Sequence, residues 1–289
     1  APADLAFADK LKKVAESIRY GYYEDETSLV CQWHLPACHG LEAWGDTVSY
    51  DGLPSVAQPL IDPLTDSKSV LEVLGLLVGG EAVAPEQMVR EALAPVFAEG
   101  LNDDAWAQLL HDGFSQVSLA TAANPSLVAD FDVQPAAPDT GLELVFCASQ
   151  STYDGRLANN GWLQETPDFM TKLTWDNAAI LSPFTAKGLK VSQGELLRVS
   201  IGERSLELPV FILPGQANDS IGVALGYGRT AAGRVGGSSA SHARTVRGDK
   251  EGNETVGFNS YRLRTTSATH VATGVEARPT GKEYPLATT

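Results

Sequence analysis

The run from Thr174 to Gly236 constrains the fold more than any other stretch, because it alternates short β-prone segments with glycines and ends in a loop rich in glycine and arginine. Leu196, Arg198 and Ser200 interleave with Leu197, Val199 and Ile201, the period-two pattern of a strand with one buried face. The stretch from Leu206 to Leu213 repeats it. Gly188 and Gly194 are placed where the chain should reverse, a conformation glycine adopts without steric cost. Several short strands punctuated in this way predict a small closed or nearly closed β barrel. The tail after Arg264 mixes strand-prone and turn residues and is expected to complete it.

The first half carries helical patterns. Leu5, Phe7, Ala8, Leu11, Val14 and Ile18 fall on one face of a helix over 4–18. "RYGYY" reads as a strand. A helix over 68–78 is capped by Ser67 or Ser69 and ended by Gly79-Gly80; others cover 85–98, with Pro85 in the first turn, and 103–113, capped by Asn102 or Asp103. "LELVFCAS" is a buried strand, the proline-rich 124–141 a crossing loop, and "STYDGRLANNGW" a hinge. With 289 residues the chain can bury two cores. Strands separated by helices imply an α/β layer with a partly parallel sheet over 1–155, followed by an all-β barrel domain over 156–289.

A formal charge of −15 argues against a nucleic-acid partner, since phosphates would repel the surface; it suits solubility, or the steering of a basic partner such as a cytochrome. No apolar run reaches the roughly 18 residues of a membrane span. No signal peptide is visible, and the initial Ala1 suggests an excised or processed piece. Three cysteines, Cys31, Cys38 and Cys147, cannot supply the four thiolates of an ordinary iron–sulfur cluster. Whether Cys31 and Cys38 form a disulfide or all three are buried thiols stays open at this level.

Cys31, His34, Cys38 and His39 match a zinc shell by atom type, although the spacing is not a standard one; a structural loop with hydrogen-bonded histidines is the other reading. "GRTAAGRVGG" offers Arg229, Arg234 and backbone amides to a phosphate, without the lysine ending of a P-loop. Serines near His242 lack the nucleophile-elbow pattern, so a serine hydrolase is not expected.

The 174–236 segment resembles the carboxy-terminal domain of the molybdopterin oxidoreductase superfamily, through Asn177, Ala186, Gly188, Gly194, Glu195, Pro214, Gly215, Gly226 and Gly228. The resemblance implies a double-psi β barrel, with Asn177, Gly226, Gly228 and Arg229 where active relatives face the pterin nucleotide. Ala178 stands where many of those have proline. "DETSLVCQWHLPACHGLEAWGD", "SVAQPLIDPL" and "NNGWLQETPDFMTKLTWDNAA" resemble the molybdopterin-oxidoreductase-like subunit of bacterial alternative complex III, a cofactor-free branch. That implies a non-catalytic scaffold and electron-transfer module of a quinol-oxidising respiratory complex, exported to the periplasmic side of the inner membrane. Its partners would be an iron–sulfur domain, cytochrome c-type subunits and an integral membrane quinol subunit, with no cofactor in this segment.

The same resemblance lays "WHLP" and "LEAWGD" over the region where active relatives place substrate. His34, Glu42 and Asp46 are therefore candidates for a polar site or proton path, or for loop-fixing hydrogen bonds. The alternative function is a fragment of a true molybdopterin oxidoreductase that binds a pterin dinucleotide; a third is a zinc-stabilised binding module. On the scaffold reading, Trp44 and Trp162 belong to an assembly surface.

Overall fold

The computed structural model describes residues 1–80, 84–97, 100–117, 123–128, 141–237 and 255–288. His242 and most of the expected crossing loop lie outside these. The chain divides into two compact units, one of Ile18–Tyr22 with Trp33–Gln134, the other of Ala1–Ser17, Tyr23–Gln32 and Pro135–Thr289. This differs from the division expected at residue 155, and the segment read as a hinge falls inside the second unit.

The helix expected over 4–18 is broken. A 3-10 turn, Ala3–Leu5, is followed by a short helix α1, Phe7–Leu11, with Ala6 between them in the left-handed region at φ 44°. Neither piece has a buried residue. Isolated helices this short are marginal without a packed face, so periodicity alone did not carry the helix through.

In the first unit the strands are four residues long. β1, Ile18–Gly21, and β2, Trp33–Pro36, pair in parallel. β3, Gly45–Val48, and β4, Pro54–Ala57, pair antiparallel. The expected partly parallel sheet is thus two separate ribbons among the described residues. The core of this unit is helical instead. Helix α2, Val70–Gly79, opens with a capping box in which Ser69 Oγ accepts from the Glu72 amide and Glu72 accepts from the Ser69 amide; Gly80 ends it at φ 72°. Helix α3, Pro85–Leu93, passes into a 3-10 turn, Ala94–Val96, at Pro95, which has no N–H to continue the ladder. Helix α4, Asp103–Asp112, is capped by Asn102. Val89, Leu93, Leu101, Trp106 and Leu109 bury one another, with Trp44 and Val56 packed against them.

The second unit is built on a closed six-stranded barrel. Its strands are β5, Leu142–Cys147; β6, Ala179–Leu181; β7, Glu195–Ile201; β8, Arg204–Ile212; β9, Ser220–Ala224; and β10, Val271–Glu283, in the order β10-β5-β9-β6-β8-β7. β5, read from sequence as part of an N-terminal layer, is a barrel strand paired in parallel with β9. β7 and β8 form a hairpin across Gly202, at φ 57°, with Leu197 and Val199 facing Leu208 and Leu206 in register. Leu197, Val199, Leu208 and Val210 are fully buried, as the alternation predicts. The long β10 pairs with β5 through its first half and with β7 through its second, its register shifting at bulges, and so closes the barrel as expected of the tail.

Three short helices accompany the strands: α5, Gly161–Glu165; α6, Pro183–Leu189, capped by Ser182; and α7, Gly233–Gly236. Gly194 makes the predicted left-handed turn, but Gly188 lies within α6, and the reversal there is made by Lys190 at φ 56°.

Candidate functional site

The residues singled out for a nucleotide lie where β6 and the loop after β9 meet. Asn177, two residues before β6, is buried, and its side chain is committed to backbone: Nδ2 donates to the carbonyls of Ala224 and Phe258 at 2.9 Å each, and Oδ1 accepts from the Phe258 amide at 2.8 Å. Three segments are tied together by one amide. Gly226 and Gly228 sit at φ 93° and 69°. A Cβ on Gly226 would lie 2.5 Å from Thr152 Oγ1, and one on Gly228 would lie 2.2 Å from the Asn259 nitrogen. Only glycine allows the backbone to approach this closely.

Arg229 is held by a partner that local sequence could not reveal. Its Nε donates to both oxygens of the Glu26 carboxylate at 2.9 and 3.0 Å, Nη2 donates to Glu26 Oε2 at 2.6 Å, and Nη1 donates to the Gly155 carbonyl at 2.7 Å. The amides of Thr230 and Ala231 add bonds to Glu26 Oε1 at 2.7 and 3.0 Å. Burial would raise the Glu26 carboxyl, but the hydrogen bonds and charge of Arg229 and the Ala231 amide outweigh it and hold the group at about 2. Arg234, in α7, is exposed. Of the four residues carried over from the pterin-binding relatives, the two with polar side chains, Asn177 and Arg229, hydrogen-bond to this chain's own backbone and to Glu26.

Beside Asn177 lies a cavity of about 540 Å³, lined by apolar strand residues and by Cys147, Ser149, Asp168, Asp176 and Tyr227. Asp176 is buried and accepts from Tyr284 Oη at 3.0 Å. The phenol of Tyr227 is pushed up by burial, with Asp176 and Asp168 adding to the effect while its hydrogen bonds to Ser149 and Ser151 oppose it, and it receives Ser149 Oγ at 3.4 Å. The phenol stays protonated through the neutral range. Apart from Asn177, and Cys147 as one of three thiols, these groups were not singled out from sequence, since a cavity is made by packing between strands far apart in the chain.

The other candidates are dispersed. His34 is half-buried on β2 and Asp46 exposed on β3. Glu42 is a loop fastener: its carboxylate accepts from the amides of His39 at 2.8 Å and Leu64 at 3.1 Å, bonds that lower its pKa. His39 is exposed, and its Nδ1 accepts from the Leu41 amide. Cys38 is buried, 3.3 Å from Ser67 Oγ, whereas Cys31 is half-buried and Cys147 exposed, so of the three free thiols only one has the expected burial. Cys31 belongs to the barrel unit and the other three zinc candidates to the helical unit. Among the described residues, no group of three or more His, Cys, Asp or Glu side chains is gathered that could hold a metal ion. Trp44 is half-buried and stacks on Trp106 at 6.1 Å against the helical core, whereas Trp162 is 87% exposed.

The chain is 27% identical, over 253 aligned residues, to the menaquinone reductase molybdopterin-binding-like subunit of Nitratidesulfovibrio vulgaris, an alignment that takes in 80% of this chain and 34% of the relative. The sequence likeness supports the molybdopterin oxidoreductase superfamily. The fold is shared with acetylene hydratase from Pelobacter acetylenicus, at a TM-score of 0.60 and 15% identity, over 91% of this chain and 38% of that enzyme. No family model matches. The chain thus spans little more than a third of the length of either protein. Among the described residues, no helix is long and apolar enough to cross a membrane.

Proposed function

We propose that this chain is the barrel-bearing part of a non-catalytic subunit in a quinone-linked respiratory oxidoreductase, a scaffold and electron-transfer module that holds no pterin dinucleotide of its own. The observation that carries this reading is the commitment of the Asn177 amide to the backbone of Ala224 and Phe258 and of the Arg229 guanidinium to Glu26 and Gly155. The likeness to a menaquinone reductase subunit supports a quinone-related assembly. The finer assignment is an alternative complex III type of quinol-oxidising complex on the periplasmic side of the inner membrane, beside iron–sulfur, cytochrome c-type and integral membrane quinol partners. The closed barrel would be of the double-psi class. Exposed apolar residues on α2 and around Trp162 suit an assembly role.

The cavity beside Asn177 favours a second reading, a fragment of a true molybdopterin oxidoreductase. If bound there, the pterin cofactor would supply the redox centre. Elemental mass spectrometry for molybdenum, with fluorescence after oxidative release of pterin, on the purified full-length parent subunit separates the two. The scaffold reading expects neither in stoichiometric amount; one equivalent of pterin would overturn it.

A further inference from the structure

We propose that the cavity beside Asn177 binds an uncharged, mainly apolar molecule that carries a hydrogen-bond acceptor, with Tyr227 as the donor that orients it. The cavity lies wholly within the barrel unit. At about 540 Å³ it falls in the size range of small-molecule sites, which are mostly apolar with a few placed polar groups. Val145, Ala178, Ile180, Leu213 and Val223 supply the apolar wall, from β5, β6, β9 and the segments beside them. Cys147, Ala148, Met170 and Ala217 line the space while staying exposed, and so mark its opening.

Charge decides what fits. Among the described residues, no lysine, arginine or histidine lines the cavity, and its acids are Asp168 and Asp176. An anion would enter an apolar space beside two carboxylates with no cation to pair with, which is costly. The pyrophosphate of a pterin dinucleotide is therefore a poor occupant of this space. A cation is not called for either, because both carboxylates are bonded by the chain's own donors. Asp168 Oδ1 accepts from the amides of Met170 and Thr171 at 3.1 and 2.8 Å and from Thr171 Oγ1 at 2.8 Å, and Asp176 accepts from Tyr284. Tyr227 is the group left to recognise a ligand. Its oxygen accepts from Ser149 and Ser151, which leaves its own hydrogen for an acceptor in the cavity.

The proposal goes beyond both readings of the function: pterin content decides between those, and the charge preference of the cavity decides this one. The purified parent subunit is titrated by ligand-observed NMR with 2-acetylnaphthalene, an uncharged ketone, and with 2-naphthoate and 2-naphthylmethylammonium, its anionic and cationic analogues. The ketone should bind about tenfold or more tightly than either ion, since each ion would lose its hydration to an apolar wall. It should also slow the alkylation of Cys147 by iodoacetamide, followed by peptide mass spectrometry, because that thiol stands at the opening. Tyr227→Phe should weaken the ketone about fivefold, the share of one hydrogen bond, and leave naphthalene itself unchanged. Ala217→Trp, at an exposed position, should shut the ketone out. The proposal is overturned if the ketone does not bind, if either ion binds as tightly, if saturating ketone leaves Cys147 unprotected, or if Tyr227→Phe or Ala217→Trp keeps full ketone affinity. Should Tyr227→Phe fail to fold, Ala217→Trp and the protection of Cys147 carry the test.

Discussion

Gly228 and Glu26 show how single residues set this molecule's constraints. Gly228 combines a left-handed φ of 69° with a neighbouring backbone that would lie 2.2 Å from an added Cβ. Gly228→Ala should therefore cost more than about 2 kcal/mol, the range of severe backbone and packing defects. Gly202 shares the left-handed conformation at φ 57° but has open space around it, so Gly202→Ala should cost only about 1 kcal/mol. Denaturant melts of the two variants compare strain plus overlap with strain alone. For Glu26, the folded carboxyl sits at about 2 against 4.5 for the free group, so its contribution to stability is complete above about pH 5 and is lost as pH falls toward 2. The difference in melting temperature between wild type and Glu26→Gln should shrink across that window and stay flat above it. A difference constant from pH 6 to 3 would show that the carboxyl is not held low. Arg229 was legible in the sequence as a phosphate-type donor, but its partner was not, because Glu26 lies 203 residues away and leaves no local pattern.

At the level of elements, stop and start signals proved more legible than neighbours. Ser69 and Glu72 make the reciprocal bonds of a capping box, and Asn102 accepts from the Ala105 amide at 2.8 Å. Both caps were among the alternatives their sequence neighbourhoods offered. Ser69→Ala should cost about 1 kcal/mol and loosen the first turn of α2, seen as faster amide exchange at Glu72. The alternation in β7 and β8 likewise placed Leu197, Val199 and Leu208 inward. What could not be read was pairing. β5 announced itself as a buried strand, yet its partners are β9 and β10, both far along the chain, and a six-residue apolar run does not name its neighbours. The opposite failure befell residues 4–18, where the period was helical but no surface was available to bury it, and only Phe7–Leu11 winds as an α-helix.

For the whole molecule, the least expected property is where apolar surface is left. α2 is strongly apolar yet contains no buried residue, and Leu77 and Val78 are 76% and 89% exposed. Soluble monomers seldom leave such side chains grouped on one helix without a partner to cover them. On the scaffold reading proposed above, a neighbouring subunit would supply that cover. Replacing Leu77 and Val78 together by lysine tests this without disturbing the fold. Neither residue is in the core, surface changes of this kind are usually within about 0.5 kcal/mol, and cations suit the last turn of a helix. The purified variant should melt like wild type but fail to co-purify with the parent assembly, while Trp44→Ala should do the reverse, lowering the melting temperature by emptying the stack on Trp106. Co-purification of the double-lysine variant at wild-type yield would mean that α2 is not an assembly face, and the scaffold reading would then rest on the barrel unit and Trp162 alone.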